Sequence, residues 1–360
     1  MQTTPLVVLI LCAFGTTLTL LNSFTMRVVK DRKVPTISHS ISVLVPMRNE
    51  EKNVDGLVSA IQKSDGLAHW EFTVLDDAST DNTFTKLKAL NVNTLRGELL
   101  PEGWLGKTWA CHQLAQTSQS IYLVFIDADV RVHPRAIASS ISIMDQLKWD
   151  FISPHPRQIA VTFLERLFQP LLQWSWLASV PLRIAERFGV KSMTIANGQF
   201  FIVKSSAYRA IGGHESIKSE VLDDLQLARK LVDGGFKGGV AEASAIAETR
   251  MYSSAKEIID GYTKSLWTAF GGLFGTLIAM ALIVTTQILP LLLGISGSSI
   301  GWVAYLVTAA SHAIAALRTK SAPANIFMHP LSAFLLIGLI IESLRRKNRG
   351  ELVWRERTLN

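Results

Sequence analysis

The chain has 360 residues, 48% of them hydrophobic, with a mean hydropathy of +0.26 and a net charge of +7. The apolar residues lie in long runs, which sets the chain apart from an ordinary soluble protein and points to a membrane class. Its two cysteines, Cys12 and Cys111, offer neither a disulfide framework nor a zinc site and suit a reducing compartment.

The charge is localised. Arg27–Lys33 is net +3 and Arg345–Asn360 net +4, which accounts for all of it. Basic clusters flanking apolar runs suit a membrane surface. A nucleic-acid protein would carry a basic face across its folded domain, so no nucleic-acid partner is expected.

The first element is Pro5–Phe24, a run of roughly 20 uncharged residues and long enough to span a bilayer. No basic region precedes it and no small-residue cleavage site is evident. Residues 1–26 therefore read as a retained transmembrane anchor rather than a signal peptide. The basic cluster that follows predicts a cytoplasmic domain and an outer N-terminus.

Residues 34–266 read as that domain. Strands expected at Ile41–Val45, Phe72–Leu75 and Ile121–Ile126 alternate with helices over Asn49–Ile61, around Thr83–Leu90 and at Ala136–Leu147. This alternation implies an α/β fold with a mostly parallel central sheet. Ligands of such sheets sit beyond the carboxyl ends of the strands, where Pro46, Asp76, Asp77 and Asp127 fall. Three further apolar stretches, Trp267–Leu293, Ile300–Leu317 and Phe327–Ser343, make 267–344 a membrane region of about three segments. A basic tail follows at 345–360. The stretch containing Ser311 and His312 is the weakest span. If all three segments cross, the tail lies opposite the domain, against the positive-inside rule. Either one segment is then re-entrant or interfacial, or the rule fails.

Acidic stations punctuate the domain. Asp127-Ala128-Asp129 ends an apolar strand and offers hard oxygen ligands for a divalent cation, which in turn suits a diphosphate. Before it, Val45-Pro46-Met47-Arg48-Asn49-Glu50 ends the first strand. Glu50 there suits either a base or ribose contact or the dipole of a helix start. Asp76-Asp77 places two like charges at a strand end, a cost that a ligand would relieve. Ser79, Thr80 and Asp81 after it read mostly as turn and cap chemistry. In Glu102-Gly103-Trp104-Leu105-Gly106-Lys107-Thr108-Trp109-Ala110, Lys107 either neutralises a phosphate or is a solvated loop lysine. Asn197-Gly198-Gln199 and Gly212-Gly213-His214 follow, with His214 read as a hydrogen-bonded loop histidine. Last, Asp223-Asp224 opens a helix, where a carboxylate can act as a general base or simply favour the helix dipole.

In this order the stations resemble the inverting nucleotide-sugar transferases of glycosyltransferase family 2, over about Ile41–Gly272. The resemblance implies a GT-A fold with Pro46, Arg48 and Glu50 near the nucleotide, Asp76 and Asp77 holding base and ribose, and Asp127-Ala128-Asp129 as the metal–diphosphate motif. In that motif Asp129 is the direct ligand, while Asp127 faces the ribose and the metal's water. Asp223-Asp224 matches an acidic pair usually written Glu-Asp, with Asp224 as the base; the shorter Asp223 departs from the pattern. The Gly103–Ala110 loop is similar to that of hopene-associated and carotenoid-type transferases. Arg250-Met251-Tyr252 with Gly261-Tyr262-Thr263-Lys264 and Gly271-Gly272 is similar to diaponeurosporenoate glycosyltransferases. On this resemblance Arg250 and Lys264 contact the departing diphosphate.

The implied activity is a multi-pass membrane hexosyltransferase. It would use a nucleotide-diphosphate sugar such as UDP-hexose and Mn2+ or Mg2+. The acceptor would be a carotenoid, hopanoid or polyprenyl lipid. Lys264-Ser265-Leu266-Trp267 lacks the Gln-x-x-Arg-Trp of processive polysaccharide synthases, the alternative within the family. A nucleotidyltransferase would place glycines after the first strand, where Met47-Arg48-Asn49-Glu50 has none. A non-catalytic scaffold or transport subunit would be expected to lose an acidic station, yet all are present. Trp174 and Trp176 either line an interfacial acceptor cleft or pack in a core.

Overall fold

A computed structural model describes residues 3–354, 357 and 358. Met1 and Gln2 of the expected anchor, and Arg355, Glu356, Leu359 and Asn360 of the expected basic tail, lie outside the described residues. The chain forms two compact units that are each discontinuous in sequence. One comprises 27–157 and 184–249; the other comprises 1–26, 158–183 and 250–360. Residues 158–183 and 250–266, inside the stretch read as the soluble domain, thus cluster with the helical unit.

The first unit is built on an eight-stranded sheet. Its eleven strands in chain order, counting two-residue pieces, are β1 (Arg27–Val28), β2 (Ile37–Met47), β3 (Leu67–Asp76), β4 (Asn93–Arg96), β5 (Tyr122–Ile126), β6 (Val130–Val132), β7 (Phe151–His155), β8 (Arg157–Gln158), β9 (Phe200–Lys204), β10 (Gly238–Glu242) and β11 (Ala247–Thr249). The large sheet runs β1-β10-β7-β9-β5-β2-β3-β4. Every pairing in it is parallel except those of β9, which is antiparallel to both β5 and β7. β6 and β11 pair separately.

Alternation along β2 places Ile41, Val43, Val45 and Met47 in one core and Leu44 in the other. Both faces are covered, so the strand reads as a continuous apolar run. Helix Val54–Gln62 buries Val54, Leu57, Val58 and Ile61, the i, i+3, i+4, i+7 face of an amphipathic helix. On the opposite face, helix Gly106–Gln116 buries Ala110, Cys111 and Leu114, and helix Asp223–Asp233 buries Leu227, Ala228 and Leu231. Each fully buried Leu, Ile or Val contributes about 1.5–3 kcal/mol relative to exposure. The cores therefore hold the strand ends, and with them the acidic stations, at fixed positions. One boundary differs from expectation. The helix read from Asn49 begins only at Val54, because Asn49 is left-handed (φ 53) and breaks it.

Among the described residues of the second unit four helices are long and apolar enough to cross a membrane: Thr3–Thr25, Leu273–Ile295, Ser299–Thr319 and Asn325–Asn348. Within Leu273–Ile295 the turn Val284–Ile288 is π-helical. Ser311 and His312 are buried and partnered inside this unit. The Ser311 hydroxyl lies 2.8 Å from that of Thr19 and accepts from Trp174 Nε1 at 2.9 Å. His312 Nε2 lies 2.9 Å from Gln287 Oε1, and its ring stacks on Trp174 with centroids 4.4 Å apart. Polar side chains that bond between helices are compatible with an apolar span, which removes the objection to Ile300–Leu317. Trp174 is used in this packing and Trp176 is buried, as the core-packing alternative required.

Candidate active site

The carboxyl ends of β2 and β3 carry two loops fastened to each other. Asp77 N–H donates to the Met47 carbonyl at 2.7 Å. Arg48 Nη1 donates to the carbonyls of Asp77 (2.7 Å) and Ala78 (3.2 Å), so Arg48 braces this edge. Asn49 and Ala78 are both left-handed, at φ 53 and 52. The Asn49 amide donates to Ser79 Oγ at 3.0 Å, and the Glu50 amide to Thr83 Oγ1 at 2.8 Å. Asp81 accepts from the Thr83 and Glu51 amides, so Ser79 and Asp81 serve turn and cap chemistry. Glu50 Oε2 accepts from Asn53 Nδ2 at 2.8 Å, and Asn53 Oδ1 accepts from Arg131 at 2.9 Å. Asp76 and Asp77 are buried, and Asp76 Oδ1 has no hydrogen-bond partner among the described residues. A buried carboxylate oxygen without a donor costs about 1–3 kcal/mol or more, and a ligand N–H or O–H would relieve that.

At the end of β5 the chain turns tightly, with Val130 N–H donating to the Asp127 carbonyl at 3.1 Å. This turn presents Asp127 and Asp129. Burial, and then the charge of Asp127, push the Asp129 carboxyl up to about 6. A pocket at this edge is lined by Pro46, Lys107, Cys111, Phe125, Asp127, Gly198, His214, Asp223 and Asp224, with Phe201 and Leu227. The partly exposed Lys107 ammonium lies 2.9 Å from Asp127 Oδ1 and 3.5 Å from Asp223 Oδ2. Burial works to lower its pKa, but Asp127 and Asp223 outweigh this and hold it raised, so Lys107 stays charged. Lys107 and Cys111 share a helix face at i, i+4. Burial raises the Cys111 thiol, which stays protonated.

Asp224 opens its helix as expected. Its Oδ2 accepts from the Gly198 amide at 2.5 Å and its Oδ1 from the Leu225 amide at 2.7 Å. Burial, and then the neighbouring Asp223, raise it to about 6. This suits a group that must be ionised near neutral pH yet basic enough to take a proton. Gly198 has no role in the sequence reading. A Cβ there would lie 2.9 Å from Asp224 Cβ and 3.3 Å from both Asp224 Oδ2 and Lys107 Nζ. Its neighbour Gln199 accepts from the Asp127 amide at 3.0 Å, so one short loop touches both carboxylate stations. His214 Nδ1 lies 2.7 Å from the Tyr208 hydroxyl, and burial lowers the imidazole to about 4, so it is a neutral, hydrogen-bonded loop histidine.

Pro46, Lys107, Asp127, Asp223 and Asp224 thus share one pocket, with Asp129 in the adjoining turn and Arg48, Glu50, Asp76 and Asp77 along the same strand ends. Arg250 and Lys264 belong to the helical unit. There Arg250 forms a paired contact with Glu165, Nε to Oε2 at 3.2 Å and Nη2 to Oε1 at 3.0 Å. Lys264 follows helix Ala255–Thr263, and its carbonyl accepts from Trp267 Nε1 at 3.1 Å.

The family model described as Glycosyl transferase family 2 matches residues 42–212. Among curated proteins the chain is 25% identical over 234 residues to a 4,4'-diaponeurosporenoate glycosyltransferase of Staphylococcus haemolyticus, covering 64% of this chain and 61% of that protein. The Staphylococcus aureus (strain USA300) protein of the same name is 24% identical over 237 residues, covering 65% and 62%. The chain thus spans about three fifths of the length of these relatives. A mannosyltransferase of Pyrobaculum calidifontis, solved with GDP-Man and Mn2+, superposes with a TM-score of 0.57 at 17% identity over 96% of this chain and 99% of that one. At that identity the likeness bears on the fold alone. Residues 42–212, a little under half of the chain, thus match the glycosyl transferase family 2 model, and the fold around them is the GT-A fold.

Proposed function

We propose that the chain is a membrane-bound inverting glycosyltransferase that moves a sugar from a nucleotide-diphosphate sugar, such as a UDP-hexose, to a lipid-like acceptor. The observation that carries this reading is the pocket itself: one cation, Lys107, is set among Asp127, Asp223 and Asp224, with Asp224 raised to about 6. Asp76 and Asp77 receive the base and ribose, and the donorless Asp76 Oδ1 supports this.

The donor set at Asp127 and Asp129 fits a divalent cation. Among the described residues no group of three or more His, Cys, Asp and Glu side chains gathers to enclose a metal. One or two carboxylates, completed by water and diphosphate oxygens, is the usual arrangement for Mg2+ at a diphosphate. Asp129 and Asp127 would hold Mn2+ or Mg2+, which when bound neutralises the leaving diphosphate. Lys107 adds a fixed positive charge on the same side. Asp224 takes the proton from the acceptor hydroxyl as its oxygen bonds to the anomeric carbon, and the sugar–phosphate bond breaks on the opposite face. With a carboxylate acceptor, such as the name of the staphylococcal relatives suggests, no base is needed and Asp224 orients.

The four apolar helices support a multi-pass membrane protein, and the net positive Arg27–Lys33 supports a cytoplasmic site. A diphosphate role for Arg250 has less support than the rest, since Glu165 already engages its guanidinium. The test is Mn2+-dependent release of UDP from donor by membranes carrying the protein. Asp129→Ala and Asp224→Asn are expected to lower it by about 10²-fold or more. Release at the wild-type rate in both variants refutes the assignment.

A further inference from the structure

Three of the four apolar helices meet at their middles. The Thr286 carbonyl, halfway along Leu273–Ile295, accepts from Cys12 Sγ at 3.5 Å and from Thr308 Oγ1 at 3.2 Å. Cys12 and Thr308 are themselves near the middles of Thr3–Thr25 and Ser299–Thr319. Helix Ser299–Thr319 runs the same way as Thr3–Thr25: Val8 clusters with Ala304, Thr16 Oγ1 donates to the Val307 carbonyl at 3.0 Å, and Thr19 meets Ser311 at 2.8 Å. The end of Thr3–Thr25 leads within two residues into β1 of the sheet unit. Helix Ser299–Thr319, closing with Arg318 and Lys320, therefore ends on the transferase side. The turn Ser296–Ser298, which carries no charge, lies on the other side.

Helix Asn325–Asn348 does not follow this pattern. A helix that crosses fully has its own middle at the middle of the bundle, but here the first turns are there. The Tyr305 hydroxyl donates to the Phe327 carbonyl at 2.8 Å. The His329 ring stacks on His312 at 5.1 Å and lies 5.1 Å from the Tyr305 ring. Asn325, His329 and Ser332 are buried inside the unit rather than turned to lipid. From there Leu339 and Ile340 pack with Phe168, Leu171 and Tyr262.

The far end of the helix is fastened to the segment that follows β11. Ser343 Oγ donates to the Thr263 carbonyl at 2.5 Å and accepts from the Trp267 amide at 2.9 Å. Arg346 pairs with Asp260 at 2.9 Å, and Lys347 Nζ lies 3.7 Å from the Trp267 ring centroid. Helix Ala255–Thr263 begins five residues after β11 ends. It has nine residues, too few to cross a bilayer, so it stays on the transferase side and holds Ser343–Lys347 there. From Pro330 to Asn348 the helix is about 28 Å long, ample for a tilted path over the roughly 15 Å from mid-bilayer to one face.

We propose that helix Asn325–Asn348 is re-entrant. Residues 320–324 take the chain from the transferase side back to mid-membrane, and the helix returns it to the side it left. The chain then crosses three times, not four. This rests on the membrane-bound part of the proposed function and adds to it the side on which the basic end lies. Irregular backbone at membrane depth is tolerated where protein buries it, as the burial of Asn325 and His329 provides. The arrangement also places Arg27–Lys33, Arg318, Lys320 and Arg345–Arg349 on one side, as the positive-inside rule requires.

The test is labelling of the full-length protein in intact cells by a membrane-impermeant maleimide, before and after permeabilisation. Native Cys12 and Cys111 are buried, so wild type sets the background. Lys63→Cys marks the transferase domain and Ser296→Cys the opposite side. Arg349→Cys reports the end of the helix, and Glu351→Cys repeats that reading if the first variant does not accumulate. Arg349→Cys is expected to react only after permeabilisation, like Lys63→Cys, whereas Ser296→Cys reacts in intact cells. Phe327→Cys, at mid-membrane, is expected to react in neither condition until the protein is denatured. The proposal is overturned if Arg349→Cys or Glu351→Cys sorts with Ser296→Cys, if Ser296→Cys sorts with Lys63→Cys, or if Phe327→Cys reacts in native membranes. Should Lys63→Cys and Arg349→Cys both react in intact cells and Ser296→Cys only after permeabilisation, re-entry holds and the cytoplasmic placement of the domain fails instead. UDP release, measured separately on wild type, bears on the transferase assignment alone.

Discussion

Replacing the candidate base is expected to stabilise the protein while disabling it. Asp224 is raised from 3.8 to about 6 in the folded chain, first by burial and then by Asp223. At 1.36 kcal/mol per pH unit, holding it ionised costs the native state about 3 kcal/mol. The sign follows from which state binds protons. Above about pH 6 the carboxyl is ionised both folded and unfolded, so the native state bears the full cost. Between about 6 and 3.8 the folded form takes up the proton first and the cost fades; below 3.8 it is gone. Asp224→Asn removes the charge. Its carbonyl can still accept from Gly198, but its amide nitrogen meets the Leu225 N–H, a loss of about 1 kcal/mol. The net expectation is a gain of about 2 kcal/mol at pH 7.5 that disappears near pH 4. Denaturant unfolding of wild type and variant, followed through the α/β unit's tryptophans at both pH values, reads this directly. A variant equally or less stable at pH 7.5, or one whose gain persists unchanged at pH 4, refutes the burial argument.

Two further substitutions probe the surroundings. Gly198→Ala puts a methyl 2.9 Å from Asp224 Cβ. It should displace the carboxylate enough to cost about 10²-fold in nucleotide release with only about 1–3 kcal/mol of stability; wild-type turnover would show that the close approach is unimportant. Arg250→Ala leaves the buried Glu165 with only the Val161 amide and Thr162 hydroxyl. Because the Arg250 side chain is 39% exposed, the expected loss is about 1–2 kcal/mol, seen as a lower melting temperature of the helical unit. An Arg250 that grips diphosphate would instead weaken UDP binding, measured on the same sample.

Much of this was written locally. Strands β3 and β5 finish in apolar runs that meet carboxylates, and β2 ends at Met47, three residues before Glu50; a strand's end needs only its own residues to announce it. The helix start at Asp223 and the four apolar helices are likewise legible, because period and length are local properties. Asn49 shows where local reading stops. Its polar neighbours look like a helix start, but bonds to Ser79 and Thr83, some thirty residues on, pull 49–53 into a loop.

The identity of the acidic stations, their order and the amphipathic frame beneath them were therefore determined by the sequence itself. Tertiary structure decided which groups meet. Inserting β9 antiparallel between β5 and β7 brings Gly198 to Asp224 and Gln199 to Asp127. Lys107 finds Asp127 and Asp223 across 20 and 116 positions. In the helical unit Arg250 finds Glu165, and His312 finds Gln287 and Trp174. The reason is physical. A side chain's chemistry is carried by its own residue, whereas its charge state, its partner and its freedom to meet a ligand depend on neighbours that only chain folding brings within a few ångströms.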